Sequence, residues 1–400
     1  MDNIVIQEWG KGVYDLLSWF EADRVKNAKV LVAGAGALGN EIIKNLALFG
    51  IGNLFIIDFD TIEYTNLTRS ILFRESDADK GLFKAEVAAA RVREINPNIN
   101  VHSIVGRLGC DVGLGLYRRM DVAIGGLDSL LARIELNRQC IRANIPWVDG
   151  GIENLNGQAS VYRRGVCCYE CELPATTKEA IAHRISCADI AQRNIAHQRI
   201  PTTPVIASII GAIEVQEAMK IIHEDSELKN NFTSLTGKCL DYNGNIPRFR
   251  IIQTESWNRN CPSHEFWEPV VKIIDLSADD TIEKALTILG QTLGCTDVEI
   301  NLRNDQFVDF LVVRGSEHKY SPMLPKSRIP DYIDSIDNLR NRSWENINQH
   351  VIENIGRDFP YQQLTLHEVG VPYLDILQVS TEKGYAYVEL SHDTNRFNIQ

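Results

Sequence analysis

With 400 residues the chain is long enough for two or three domains, each with a buried core of its own. Hydrophobic residues make up 44% and charged residues 24%, the balance of an ordinary globular protein, and no apolar run approaches the roughly 20 residues that a membrane-spanning helix needs. A formal net charge of -12 excludes a general nucleic-acid binder, whose partner's phosphates this surface would repel, and leaves room for a basic protein partner. The first 30 residues carry acids throughout and no small-residue cleavage site, so neither a secretory nor a transit peptide is expected. Nine cysteines, an odd number scattered over a long chain, indicate a reducing, cytoplasmic compartment.

In chain order, residues 1–28 are expected to form an N-terminal helical extension. Residues 29–33 (KVLVA) are a β-branched strand that runs at once into Gly34-Ala35-Gly36-Ala37-Leu38-Gly39 and a helix through Phe49, with Ile42, Leu46 and Phe49 on one face. A second strand, 54–57, ends in Asp58, 24 residues after Gly34. Strand, glycine loop, helix, strand and acid open a doubly wound α/β fold with a mainly parallel sheet. Gly34 permits the tight turn, Gly36 lets a phosphate approach backbone N–H groups, and Gly39 lets the helix pack on the sheet. Further elements are expected at 84–95 (helix), 101–104 and 121–124 (strands), 130–144 (helix) and 146–148 (strand). Antiparallel strands begin near 158–162. The polar segment 176–203 is a crossing stretch, and 205–222 is a helix apolar on most sides and hence buried. Strands at 238–242 and 249–253 complete a domain of residues 29–265. The composition changes past Phe266, and 266–400 reads as a smaller α+β domain: strand 270–276, helix 281–293, strand 297–302, a further strand over 307–313, a looser stretch over 325–360, and terminal strands around 373–379 and 385–390.

Cys168 and Cys171, two residues apart in CYEC, are matched some ninety residues later by Cys261 and His264 of CPSH. Three thiolates and an imidazole suit tetrahedral zinc, and a closed four-ligand shell leaves no position for reactive water. The expected site is therefore a structural clip. Cys167 is a possible substitute ligand, but Cys168 gives the tighter pair with Cys171.

The glycine loop alone fits a dinucleotide enzyme, yet the residues downstream of it do not. Asp58 and Asp60 lead into Asn66, Arg69, Arg74 and Lys84 before the next strand, more cationic groups than one pyrophosphate needs and suited to a triphosphate about to lose pyrophosphate. Asp128, in GGLDS directly after the strand ending at Ile124, would face the same crevice and could hold Mg2+. Arg133 reads as a local salt-bridge partner. In the crossing segment, Cys187 of HRISCADI is the candidate nucleophile, with His183, Arg184 and Arg193 near it in sequence; Cys239 and Cys167 are alternatives. Cys110, Cys140 and Cys295 lie within or next to apolar segments and are expected to be buried. His102, His197 and His223 are expected to face solvent or satisfy local hydrogen bonds.

The stretches KVLVAGAGALGNEIIKNLALFG, IIDFDTIEYTNLTRSILFR, KGLFKAEVAA, GGLDSLLAR, VDGGIENLNGQASVY and CYEC resemble, in order, the adenylation domain of the ThiF/MoeB/ubiquitin-activating superfamily, and within it the cysteine-bearing subunit of ubiquitin-like-modifier-activating enzymes. The resemblance implies ATP, Mg2+ and Zn2+ as cofactors, Asp58 on the nucleotide ribose with Asp60 in the same polar cluster, Asn66, Arg69 and Lys84 on phosphates, and Asp128 on magnesium. It implies a partner ending in a C-terminal glycine, adenylated there and taken as a thioester by Cys187, for handover to a conjugating enzyme. It also implies a dimer, homomeric or heteromeric. The family usually lends an arginine from an RxxR-like arrangement ahead of the first strand of the partner subunit, and here only Arg24 is present. The second metal pair departs from the family in replacing a thiolate by His264. The compact cysteine segment resembles that of activating enzymes in bacterial ubiquitin-like conjugation operons, some of which serve defence against phage, and residues 266–400 more weakly resemble a ubiquitin-like domain. The alternative reading is a sulfur-carrier adenylyltransferase; a non-catalytic scaffold and an oxidoreductase fit the acidic and cationic residues less well.

Overall fold

The computed structural model describes residues 13–109, 111–174, 176–177, 202–227, 232–254, 257–303 and 352–397, together with short strands between 307 and 347. Two compact units divide the chain, one of residues 1–108 and 117–266, the other of 109–116 and 267–400.

In the first unit β1 (Lys29–Ala33) is buried over its last four positions, as a parallel strand covered on both faces must be. It pairs in parallel with β2 (Asn53–Ile57) on one side and β4 (Val122–Gly125) on the other. β3 (Asn100–Ile104) lies outside β2 and β5 (Trp147–Glu153) outside β4, both parallel. β6 (Asn156–Tyr162), β7 (Lys238–Asn243) and β8 (Arg248–Gln253) then add antiparallel, giving the order β3-β2-β1-β4-β5-β6-β7-β8. The α/β fold with a mostly parallel sheet is thus as expected. The strand at 146–148 is longer than expected: β5 runs on through Gly150 and Gly151 because β6 folds back on it, around Asn154 at φ 53°.

Among the described residues the longer helices of this unit are α1 (Ala22–Asn27), α2 (Ala37–Phe49), α3 (Lys84–Ile95), α4 (Leu130–Ala143) and α5 (Pro204–Ile222), with short helical turns at Glu75–Asp79 and Tyr169–Glu172. α2 buries Leu38, Ile42, Ile43 and Leu46 and stops at Gly50, whose φ of 77° suits a left-handed cap. α5 starts where the Thr203 hydroxyl accepts the Ile206 N–H, with proline at its first position. It is apolar nearly all round and packs on α2 and on β4 to β6, as a helix inside a core should. No helix among the described residues is long and apolar enough to cross a membrane.

The chain leaves β1 for β2 and β3 and returns to place β4 on the other side of β1. This reversal is a topological switch point, and the crevice outside the strand ends there is where ligands of open α/β sheets bind. The loops after β1 and β4 both end on it.

The second unit has a five-stranded sheet. β9 (Val270–Ile273) pairs in parallel with β18 (Gly384–Leu390); the remaining pairs, β18 with β17 (Ile376–Thr381), β17 with β10 (Val298–Asn301) and β10 with β16 (Asn354–Ile355), are antiparallel. The expected first strand is shorter, ending at Ile273, and the first terminal strand starts at Ile376. Between β10 and β16 lie β11 (Phe307–Val308), β12 (Phe310–Val313), β13 (Lys319–Tyr320), β14 (Leu324–Pro325) and β15 (Trp344–Ile347) in two small sheets. α6 (Ile282–Leu293) connects β9 to β10, capped by Thr281 and ended by Gly294 at φ 61°. Its Ile282, Ala285, Leu286 and Leu289 pack with Val298, Ile300, Val379 and Val388. Residues 109–116 join this unit, where the Leu114 N–H donates to the buried Asp375 carboxylate at 2.9 Å. Nothing in their Gly- and Leu-rich sequence marks them as part of another core.

Candidate functional site

The crevice is built from backbone first. Gly34 has φ 90°, and a side chain there would meet the Gly126 carbonyl oxygen at 2.6 Å; one on Gly126 would meet the Gly39 Cα at 2.7 Å; one on Gly39 would strike the Gly34 carbonyl. The loops after β1 and β4 therefore lie backbone against backbone, and Gly126 N–H donates to the Ala33 carbonyl at 2.8 Å. Gly36 differs. Its φ is -73°, open to any residue, and a Cβ there would meet nothing within 4 Å. The protein's own packing demands glycine at 34, 39 and 126 and leaves the space over Gly36 free.

Asn40 holds this loop. It is fully buried on α2, its amide donating to the Ala35 and Gly36 carbonyls at 2.7 and 3.0 Å while its oxygen accepts the Leu72 N–H at 2.8 Å. Its role is not expected from the sequence; the signal that marks it is a short amide one residue past the last loop glycine, in the first turn of α2.

Asp58, half-buried at the end of β2, accepts the Ala35 N–H at 2.7 Å with one carboxylate oxygen and the Asp60 N–H at 2.8 Å with the other. Burial raises its pKa, and Lys84 and the two amides pull it back. Lys84 opens α3, largely buried, with its ammonium on the Asp60 carboxylate at 2.7 Å. Asn66 lies in the 3-10 turn Tyr64–Asn66, its side chain accepting the Glu63 N–H at 2.9 Å. Arg69 and Arg74 also serve local backbone, on the Thr65 carbonyl at 2.8 Å and the Ile71 carbonyl at 2.7 Å. Asp128 is exposed on the loop beyond β4 and has no side-chain hydrogen bond or ion pair among the described residues. A cavity of about 810 Å³, lined by Arg24, Asp121, Pro146, Arg163 and Glu224, opens at the starting ends of β1, β4 and β5, opposite the strand ends that form this crevice. Arg24 there pairs with Glu21 at 2.9 Å.

The second cluster is Cys168, Cys171, Cys261 and His264, whose ligand atoms all lie within 4.8 Å of one another. Cys168 Sγ is 3.4 Å from Cys171 Sγ and 3.7 Å from Cys261 Sγ, and His264 Nε2 is 3.2 Å from Cys168 Sγ and 3.5 Å from Cys171 Sγ. None of these cysteines is in a disulfide. Ligands about 2.0–2.3 Å from one tetrahedral ion stand about 3.3–3.8 Å apart, so the donor set fits zinc in kind and in size. Crowding three thiols drives Cys171 toward thiolate, since Cys168 and then Cys261 donate S–H to it and the Asn258 N–H adds a third bond. Behind the ligands, Glu170 is held by Arg138 at 2.9 Å and by the Ser263 hydroxyl at 2.5 Å, and Asn137 donates to that hydroxyl at 2.8 Å. Trp257 stacks on the His264 ring at 3.2 Å. Cys167, next to the cluster, is not among the four; burial pushes its thiol up to about 12.

Cys187, with His183, Arg184, Arg193 and His197, lies outside the described residues, as does Cys110. Cys140 and Cys295 are buried as expected, and Cys239 is half-buried on β7. His223 is buried and satisfied locally, accepting the Glu21 N–H on Nε2 and meeting the Met219 carbonyl through Nδ1.

A mostly parallel sheet with a glycine loop and an acidic turn meeting at its switch point, and a Cys/His cluster beyond the last parallel strand, defines a class of α/β proteins with a phosphate-type loop. Within that class the chain belongs to the ThiF family, whose model matches residues 4–263. It is 41% identical over 157 residues to the NEDD8-activating enzyme E1 catalytic subunit of Schizosaccharomyces pombe, covering 38% of this chain and 35% of that one. It is 30% identical over 239 residues to the SAMP-activating enzyme E1 of Haloferax volcanii, covering 60% of this chain and 81% of that one. It is 30% identical over 254 residues to adenylyltransferase and sulfurtransferase MOCS3 of Culex quinquefasciatus, covering 63% of this chain and 53% of that one. The chain thus spans about a third of the NEDD8-activating relative and half of the MOCS3 relative.

Proposed function

We propose that the protein activates a ubiquitin-like protein by adenylating its C-terminal glycine carboxylate with ATP and then takes it as a thioester on Cys187. The observation that carries this reading is the open space over Gly36, between glycines whose absence of side chain the fold itself requires, at the switch point and beside Asp58, Lys84 and Asp128. In this reading the phosphates lie over Gly36 against loop N–H groups, Asp58 takes the ribose through its remaining lone pairs, and Asn66, Arg69 and Lys84 face the phosphates. The partner's carboxylate attacks the α-phosphorus; a new P–O bond forms as the bond to pyrophosphate breaks. The thiolate of Cys187 then attacks the resulting mixed anhydride and AMP leaves. Asp128 is the residue that would hold a magnesium ion, which when bound neutralises charge on the phosphates. Cys168, Cys171, Cys261 and His264 would hold a structural zinc. A dimer, with Arg24 or another subunit supplying charge to the site, and a conjugating enzyme as the next recipient belong to the same proposal. A ubiquitin-like second unit is supported by the parallel first and last strands, β9 and β18, with α6 crossing between β9 and β10.

The glycines give a contrast. Gly36→Val is expected to keep the melting temperature within about 2 °C and to abolish ATP binding in calorimetry. Gly39→Ala should lower the melting temperature by about 4–8 °C through overpacking against the Gly34 carbonyl. ATP bound normally by a folded Gly36→Val protein would remove the phosphate reading of this loop.

The deciding experiment is a covalent one. With Mg-ATP and its cognate small protein the chain should form an adduct that survives denaturation and is cleaved by thiol reductant, and Cys187→Ala should lose the adduct while retaining pyrophosphate exchange. An adduct mapped to another cysteine moves the role there. A persulfide, or no adduct where adenylation is proven, selects the sulfur-carrier reading, which the similarity to MOCS3 favours as the alternative.

A further inference from the structure

Arg133, in the first turn of α4, does more than pair locally. It makes an ion pair with Asp149 at 3.0 Å and places its other amine on two carbonyls, Leu127 at 2.6 Å and Gly150 at 3.0 Å. Leu127 immediately precedes Asp128, so one guanidinium rivets the turn after β4 to β5. The side chains are 13% and 3% exposed, so these bonds act in a setting of low dielectric. Burial works against the charge of Arg133, but the charge and hydrogen bond of Asp149, with Tyr169 and Glu214, together outweigh this and raise its pKa.

Glu214 of α5 completes the group. It is fully buried, and neither carboxyl oxygen has a hydrogen-bond partner among the described residues. It is pressed against Gly150, where an added Cβ would run into both of its oxygens. The charges acting on it are Asp149 of β5 and Arg133 of α4. On α2, Glu41 packs against Gly211 and is paired with Lys44; on β6, Tyr162 bears on Asp149, as does Glu172. An ionised carboxylate with no hydrogen bond in such a place is untenable, and two anions would compete for one cation. Burial pushes Asp149 up to about 6 and Glu214 well above the ordinary range, so Glu214 is the acid that keeps its proton while Asp149 stays with Arg133.

We propose that Arg133 is the positioning residue for Asp128, and that Glu214, kept as a neutral acid against Gly150, is what leaves Arg133 on Asp149 and on the Leu127 and Gly150 carbonyls. The proposal rests on the adenylation reading only for the role of Asp128. A glutamine would fill the same space without the penalty of a buried acid, so Glu214 carries a cost that a packing residue would not.

Two measurements on the full chain test it. Calorimetric titrations with Mg-ATP and with ATP in EDTA read the positioning role. Arg133→Lys keeps the charge but cannot reach Asp149 and both carbonyls at once; it should bind Mg-ATP about tenfold more weakly while metal-free ATP affinity stays within about twofold. Equal losses in the two titrations, or no loss, overturn the positioning role. Melting temperature against pH reads Glu214→Gln. A carboxyl whose folded pKa lies above its unfolded value of 4.5 costs nothing where both states are protonated and progressively more as pH rises above 4.5. The glutamine variant should therefore melt with the wild type near pH 4.5 and about 4 °C or more above it at pH 7.5. A gap that is absent, or constant with pH, overturns the neutral acid. If the wild type itself binds no Mg-ATP, the proposed function falls, and the melting gap still decides the state of Glu214.

Discussion

Replacing Cys171 by serine is expected to empty the Cys/His cluster of zinc and to lower the melting temperature by about 10 °C or more. Geometry comes first. Cys171 stands within 3.5 Å of both Cys168 Sγ and His264 Nε2, and it is the thiol most strongly driven to thiolate. Its turn and the Cys261–His264 turn come from distant parts of the chain and meet through the cluster and through polar contacts such as Ser263 to Glu170, so a metal's binding energy is folding energy here. Elemental analysis should find one zinc per chain in the wild type and almost none in Cys171→Ser. Wild-type protein purified without chelator and free of zinc would end the claim.

Asp128→Ala is expected to reduce modifier-dependent exchange of pyrophosphate into ATP by about a hundredfold or more, with the fold unchanged. The two halves of that expectation have separate grounds. Asp128 is exposed and supports nothing among the described residues, so its loss removes no packing. It also comes directly after Leu127, which Arg133 fixes, so its backbone should stay in place without the carboxylate. Isotope exchange alongside a melting curve checks both, and wild-type exchange in a folded Asp128→Ala protein would sink its place in the site.

Much of the crevice was legible because backbone demands leave strong marks on sequence. A residue that must pass within touching distance of another main chain can only be glycine, and Gly34, Gly39 and Gly126 are of that kind. The Cys/His cluster was legible for a similar reason, since thiols at tetrahedral spacing have few other uses. The full reach of Arg133 and the place of Glu214 were not. Arg133 reads as a local salt-bridge partner and is one, on Asp149, but its two carbonyl contacts join the loop after β4 to β5, which no local pattern encodes. Glu214 sits in a helix so apolar that periodicity cannot say which side a lone acid faces. The extension of β5 was hidden because Gly150 and Gly151 break the apolar run that announces a strand, while pairing with β6 carries it on. Short elements such as the turn Glu75–Asp79, held by Arg91 on Asp77 at 3.2 Å, depend on contacts from α3 that no local pattern encodes.

The two halves of the Cys/His cluster are separated along the chain by 93 residues from Cys168 to Cys261. A ribosome emits the chain from its N-terminal end at about 5–20 residues per second, so the CYEC half emerges about 5–20 s before the CPSH half exists. For that interval a nascent chain presents three neighbouring thiols, Cys167, Cys168 and Cys171, with half a coordination shell. Two thiols on one turn can then be lost to oxidation or captured by a soft competitor ion such as Cu(I) before the other two ligands arrive. Yield of the native protein should accordingly depend on how fast residues 172–260 are translated and on the thiol redox state during synthesis. Slow codons in that stretch, or mild oxidant applied during expression, would penalise this chain more than one whose four ligands emerge together.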